Sequence, residues 1–316
     1  MRVGVLCRGE PSEIEWVHRL GFRSIGWMRF AESACGPNQA DWKPSAEELA
    51  AEAKCKDVRI SAIGAFYANP LDPLQTGWAR QVVRRAVEVA AHLGVKTVTG
   101  FAGGVIETRI NDRGGNPVSQ PLENSLPQLL AFWEPLAEYA REHGVRIGFE
   151  NCPQGTLNLP IQGYNSFAKP ALWELFFNAT KHENIGLEWD PSHLICQWID
   201  PVQTIHRFGS RIFHVHAKDA YIDQTLLARY GVCHPGVSEH RLPGFGQANW
   251  PQIVHALVRA GYDSDLNIEG RHDPVFRDHP GGGPSVPSEG AANPLAGRKL
   301  EERGLLIAKR MLEALI

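Results

Sequence analysis

Four short segments in the second half of this 316-residue chain, VRIGFE, IGLEWD, RIFHVHAKD and LNIEG, carry groups that could share one piece of chemistry. Each alternates as an extended strand does, so that successive side chains fall on opposite faces. Val145, Ile147 and Phe149 oppose Arg146, Gly148 and Glu150; Ile185, Leu187 and Trp189 oppose Gly186, Glu188 and Asp190. Phe213, Val215 and Ala217 oppose His214, His216 and Lys218, and Leu266 and Ile268 oppose Asn267 and Glu269. If the apolar sets pack outward, the polar sets point inward together, and buried charges need partners. Glu150, Asp190 and Glu269 with one imidazole, His216, carry too much negative charge for a salt-bridged plug, even with Lys218, Arg146 and Arg271 to offset some of it. One divalent metal ion satisfies the set better. Three oxygen donors and one nitrogen favour Mn²⁺, then Mg²⁺ or Co²⁺, over a thiolate-rich zinc site. Pro191 after Asp190 biases that residue towards an extended backbone and helps fix its carboxylate.

Such residues converge only if the strands lie side by side. Strand candidates run over Val3–Cys7, Arg23–Met28, Val58–Ala65, Val95–Phe101, Val145–Glu150, Ile185–Asp190, Arg211–Lys218 and Asp265–Gly270. Helical patterns separate them, clearest at Ser45–Lys56, Gln75–Leu93, Glu123–His143 and Arg298–Leu315, and shorter at Pro11–Leu20, Lys169–Lys181, Pro201–Phe208 and Asn249–Ala260. Gly21, Gly94, Gly144 and Gly261 stand as helix stops. Eight strand–helix units predict an α/β chain closed into a (β/α)₈ TIM barrel, a single domain over residues 1–316. An open doubly wound sheet is the runner-up, weakened because no glycine fingerprint of a dinucleotide site follows the first strand. Long connections follow strands seven and eight, Ala220–Ala248 and Arg271–Gly297. Both leave the C-terminal face, where barrel enzymes carry their sites, and are expected to form walls or lids; HPGGG in the second reads as a lid or surface loop before a phosphate cradle.

Composition narrows the function. Hydrophobic residues make up 43% and charged residues 21%, enough for a large core. Thirty-two basic against thirty-five acidic residues, a net charge of -3, offer no general attraction to nucleic acid or an anionic membrane, and no run is apolar enough to span a bilayer. The start, MRVGVLCRGE, predicts no secretory leader. Six scattered cysteines without a CxxC pair suit reduced thiols and a cytoplasmic location. Cys7 and Cys152 lie at strand ends, where buried packing is favoured over reactivity.

At these residues the chain resembles the xylose isomerase-like barrel superfamily, the sugar phosphate isomerases and epimerases. The likeness rests on GFEN (Gly148–Asn151), WDPSHL (Trp189–Leu194), HVHAKD (His214–Asp219), RLPGFG…W (Arg241–Trp250) and IEG (Ile268–Gly270), in order on successive strand ends. The resemblance implies a single divalent metal on Glu150, Asp190, His216 and Glu269, the two glutamates shuttling protons and His193 helping to hold substrate. The chain departs from the pattern at Trp27–Arg29, where many relatives have a glutamate. It also departs at Ile222, where ketose 3-epimerases have arginine, and in Gly-Arg-His-Asp after Glu269.

The expected activity is isomerisation or epimerisation of a sugar or keto-sugar through a metal-stabilised enediolate, with a glutamate pair as acid and base. β-Elimination, as in keto-sugar dehydratases or C-glycoside deglycosidases, shares the first half-reaction and is the alternative. An apurinic-site endonuclease is disfavoured by the charge balance. The expected partner is a small-molecule sugar, and a homo-oligomer is compatible with the sequence. Lys218 is expected to polarise a substrate oxygen or to pair with Glu188 or Asp219. Asn151 is expected on a sugar hydroxyl or in a turn, and Arg241 or His240 over the substrate or in solvent. His214 is expected one layer below the metal. Trp27, Phe66 and Phe101 are expected in the core, with stacking on a sugar face the other option.

Overall fold

The computed structural model describes residues 1–111, 114–119, 122–154, 165–270, 272–276 and 299–316. Eight parallel strands close into a barrel: β1 (Val3–Cys7), β2 (Ser24–Trp27), β3 (Arg59–Gly64), β4 (Thr97–Gly100), β5 (Arg146–Glu150), β6 (Ile185–Trp189), β7 (Ile212–Ala217) and β8 (Leu266–Ile268). Each pairs with its sequence neighbours, and Val3 opposite Leu266 joins the last strand to the first. An outer helix lies between each strand and the next, and after the last: α1 (Pro11–Arg19), α2 (Lys43–Cys55), α3 (Thr76–Leu93), α4 (Leu122–Glu142), α5 (Pro170–Ala179), α6 (Pro201–Phe208), α7 (Trp250–Arg259) and α8 (Lys299–Glu313). The chain is therefore a single-domain (β/α)₈ barrel.

The apolar face of each strand packs under the helices. Trp133 of α4, Phe149 of β5, Phe167 of the short 3-10 turn before α5, and Phe176 of α5 form a chain of rings with centroids 4.5, 4.8 and 5.2 Å apart. Such edge and tilted contacts add to the area these rings bury. Trp189 faces outward likewise, its indole donating to the Thr204 hydroxyl of α6 at 2.9 Å. Inside the barrel, small residues let polar side chains cross the axis. A Cβ on Gly4 would lie 2.1 Å from Asn267 Oδ1, so alanine there would displace the amide. Asn267 donates to Ser61 and accepts from Ser24, and Ser61 donates to the Ile25 carbonyl, giving a satisfied polar floor.

Three features departed from the expected connections. An antiparallel hairpin, Ile106–Asn111 with Gly114–Ser119, precedes α4, and a one-turn helix, Pro191–Ile195, follows β6. The 220–248 connection is ordered rather than loop: Asp219–Ile222 pairs antiparallel with Ser238–Arg241, and a helix, Gln224–Tyr230, lies between them. Asp219 holds both ends of this excursion, accepting from the backbone N–H of Ala220, Gly244 and Ala248 and from the Trp250 indole, all within 2.8–3.1 Å. Asp219→Ala strands those buried donors and is expected to cost roughly 2–4 kcal/mol; a Tm within a degree of the parent would show the loop is pinned elsewhere. Most of the second expected lid, 271–297, lies outside the described residues, apart from 272–276.

The cysteines are free. Burial pushes the Cys7 thiol well above its usual range, with Glu13 adding to the shift, and raises Cys35 to about 11 and Cys196 to about 12. Iodoacetamide near pH 8 is expected to modify the exposed Cys55 and Cys233 and to leave Cys7, Cys35 and Cys196 intact until the chain unfolds. Mass spectrometry of the native protein checks this; early labelling at Cys7 would mean that β1 opens.

Candidate metal centre

Glu150 ends β5, Asp190 follows β6, His216 lies in β7 and Glu269 follows β8. All four are buried, and one ligand atom from each lies within 4.8 Å of the others. His216 Nδ1 is 3.3 Å from Glu150 Oε1 and 3.4 Å from Glu269 Oε2. Asp190 caps the Pro191–Ile195 helix: Oδ1 accepts the Ser192 N–H at 2.7 Å, while buried Oδ2 has no hydrogen-bond partner. That second oxygen faces His193 Nε2 at 3.3 Å and Lys218 Nζ at 3.6 Å. Lys218 Nζ is 3.2 Å from Glu269 Oε2, so it bridges two of the acids.

Beneath them, Glu188 ties two histidines together. Its Oε1 lies 2.7 Å from His214 Nδ1 and 2.9 Å from His216 Nε2. The other nitrogen of His214 reaches Asn267 and Ser61, at 2.9 and 3.2 Å, which joins the cluster to the polar floor. A carboxylate behind an imidazole fixes the ring's orientation and tautomer and raises its basicity as a ligand. Strand parity alone turned Glu188 inward, but its hold on both imidazoles was not anticipated.

The electrostatics bear on what the cluster can hold. Burial opposes the charge of Glu150, Glu188 and Glu269. For Glu150, His216 and His193 outweigh that penalty and hold the carboxyl at about 2. Lys218, with His216 and His272, holds Glu269 well below the usual range, and His216 and His214 hold Glu188 down. Burial disfavours cationic imidazoles, yet Glu188 and Glu150 raise His216 well above its usual value. Cys152 and Asp190 likewise carry His193 to about 10. Among the described residues, Lys218 and protonated histidines supply positive charge against the four buried carboxylates. The donor set fits a divalent cation, which would supply that charge and leave the imidazoles neutral.

A cavity of about 450 Å³ opens above the cluster, bordered by Phe66, Phe101, Cys152, His193, His240 and His272 among others. Phe66 and Phe101 meet at 4.9 Å between centroids and face the cavity, whereas Trp27 is buried against Phe30. Arg29, at the rim, holds a left-handed backbone at φ 57°, an uncommon conformation for a residue with a Cβ. A larger cavity, about 530 Å³, opens at the opposite mouth, where Arg59 pairs with Asp265 at 3.0 Å and Arg146 with Asp263 at 3.7 Å.

Two expected site residues lie outside the cavity, and Lys218, which borders it, has other ion-pair partners than expected. Asn151 is fully buried, accepting the Asp190 N–H at 2.7 Å and donating to its carbonyl at 2.8 Å, so it clamps β5 to β6 and does not reach the cavity. Arg241 turns away and pairs with Asp273 at 3.1 Å; the antiparallel hairpin presents its neighbour His240 to the cavity instead. Lys218 pairs with Glu269 and Asp190, not with Glu188 or Asp219. His240 and His272 both border the cavity. Burial, with Lys218, keeps the His240 imidazole neutral, well below its usual pKa, and its ring lies 4.9 Å from that of His193. His272 Nε2 is 3.1 Å from Glu269 Oε1.

Comparison with known proteins agrees with this architecture. A family model described as xylose isomerase-like TIM barrel matches residues 14–292. An uncharacterised protein, YfiH of Bacillus subtilis, is 28% identical over 225 residues, 64% of this chain and 68% of that protein. An inosose dehydratase of Lacticaseibacillus casei is 27% identical over 149 residues, which are 45% of this chain and 46% of the enzyme. In fold, the chain is similar to a D-psicose 3-epimerase from Clostridium cellulolyticum solved with D-tagatose. The TM-score is 0.68 at 17% identity, over 100% of this chain and 99% of that one. No helix among the described residues is long and apolar enough to cross a membrane.

Proposed function

The chain belongs to the xylose isomerase-like TIM barrel family, and from that premise we propose that it is a metal-dependent enzyme that isomerises or epimerises a sugar or keto-sugar. The observation that carries this reading is the convergence of Glu150, Asp190, His216 and Glu269, within 4.8 Å of one another at the floor of a cavity. These four would hold one divalent ion, Mn²⁺ first by the hardness of three oxygen donors, with Mg²⁺ or Co²⁺ next. Bound there, the ion would polarise the carbonyl and a neighbouring hydroxyl of the sugar and so acidify the adjacent C–H.

The chain's own residues then divide the proton transfer. Glu150 and Glu269, ionised at neutral pH, are placed to take a proton from carbon and to return one. Lys218, 3.2 Å from Glu269, is placed to donate to a substrate oxygen on which charge develops. His193 lies between Asp190 and Glu150 with both ring nitrogens free of hydrogen bonds, in position to hold a hydroxyl. Phe66 and Phe101 offer rings to the apolar face of a sugar.

Similarity to an inosose dehydratase favours a second reading, loss of water from a keto-polyol on the same residues. Both readings begin with removal of the α-proton. Incubation with ketoses, keto-glycosides and keto-inositols in D₂O, with Mn²⁺, Mg²⁺ or Co²⁺ added, therefore tests the shared step. Deuterium is expected at one carbon only when a divalent ion is present. Retained water marks the epimerase or isomerase and an enone marks the dehydratase. No exchange on any member of the panel sinks both.

A further inference from the structure

We propose that Glu150, Cys152 and His193 form a second cation site, selective for thiophilic divalent ions such as Zn²⁺ and Cd²⁺, which shares Glu150 with the four-residue cluster. One ligand atom from each of these three residues lies within 4.8 Å of the others. Cys152 stands two residues beyond Glu150, just past the end of β5, and is partly exposed at the cavity, so an ion entering from solvent meets its sulfur. His193 comes from the short helix capped by Asp190. It is only 4% exposed, and neither of its ring nitrogens has a hydrogen-bond partner. This buried imidazole, which lies against a thiol and a carboxylate, becomes a ligand when an arriving cation displaces its proton.

The chemistry separates the two sets. Glu150, Asp190, His216 and Glu269 offer oxygen and nitrogen only and suit hard ions, whereas a thiolate selects Zn²⁺ and Cd²⁺. Three protein donors and one open position make up the ligand count of an open zinc site, with M–S of about 2.3 Å and M–N or M–O of about 2.0–2.2 Å. The donors, within 4.8 Å of one another, would draw together around such an ion. Binding replaces the thiol proton with an S–metal bond and the extra imidazolium proton of His193 with an N–metal bond, both protons going to solvent, and no oxidant or reductant takes part. Because Glu150 serves both sets, an ion on Cys152 withdraws a ligand from the hard site and immobilises His193. Thiophilic ions therefore inhibit by displacement.

Cd²⁺ titration of the metal-stripped full chain, followed by thiolate-to-metal charge-transfer absorption in the ultraviolet, tests the site without any activity assay. The exposed Cys55 and Cys233 are changed to Ser throughout, so that they add no background. A band is expected in this parent, none in Cys152→Ser, and a strongly weakened one in His193→Gln. Glu269→Gln, which touches only the hard set, is expected to keep it. Cd²⁺ is also expected to weaken Mn²⁺ binding, read by electron paramagnetic resonance, on the order of tenfold or more in the parent but not in Cys152→Ser. A band that survives Cys152→Ser overturns the proposal. So does one that survives His193→Gln and vanishes in Glu269→Gln, since Cys152 would then be serving the first cluster. Mn²⁺ binding with no cadmium band removes this site alone, and a cadmium band with no Mn²⁺ binding supports it while removing the hard site.

Discussion

Glu150→Gln and Glu269→Gln are each expected to lower net substrate conversion by about 10²–10⁴-fold or more. The two carboxylates leave β5 and β8, three steps apart around the closed ring, and both border the same cavity. A substrate across the mouth thus has one glutamate towards each side. Glutamine keeps the size of the side chain but cannot take a proton, and neither residue can reach the other's face of the substrate. One variant is expected to keep exchanging the α-proton with deuterium while failing to convert, because its remaining glutamate removes and returns the proton on a single side. Each change also weakens the cation site, so Mn²⁺ occupancy must be measured alongside and saturated before rates are compared. Near-normal turnover in both fully loaded variants would move the proton shuttle elsewhere, with His193 and Lys218 the next residues to test.

Glu188→Gln is expected to weaken divalent-metal affinity by about 10–100-fold without removing a direct ligand. Glu188 Oε1 stands 2.9 Å from His216 Nε2, on the side of the ring opposite the nitrogen that faces Glu150 and Glu269. Its negative charge makes His216 a better donor and fixes which ring nitrogen carries hydrogen. An amide keeps the shape and loses the charge. It can also present N–H to the ring, which would favour the wrong tautomer. His214, 2.7 Å away, loses its anionic partner as well, so a modest fall in Tm should accompany the change. Calorimetric titration of the stripped protein with Mn²⁺ separates the two effects, and Glu188→Asp should restore part of the affinity by restoring the charge. Unchanged affinity in Glu188→Gln would mean that His216 is held by its strand alone.

What the sequence determined was local. The face on which a side chain falls depends on the two-residue period of its own strand, so Glu150, Asp190, His216 and Glu269 could be turned inward without knowing their neighbours. Eight strand–helix units with glycine stops likewise fixed the barrel, and the observed strand ends differ from the expected ones by a residue or two. Distances around the ring are not local. Glu188 meets both His214 and His216 because β6 and β7 pair with Glu188 opposite His214, past a shift in register that no period-two reading contains. Arg241 and His240 shared one expectation, and only His240 reaches the cavity, because the excursion after β7 folds back as an antiparallel hairpin in which neighbours fall on opposite faces. Asn151 was drawn from substrate to scaffold by two backbone groups of Asp190, 39 positions away along the chain. Cys152 and His193 were each visible as a residue near a strand end. Only closure of β5 against β6 brings their donors within 4.8 Å, since a barrel's register and curvature, not the alternation along any one strand, set which ends meet.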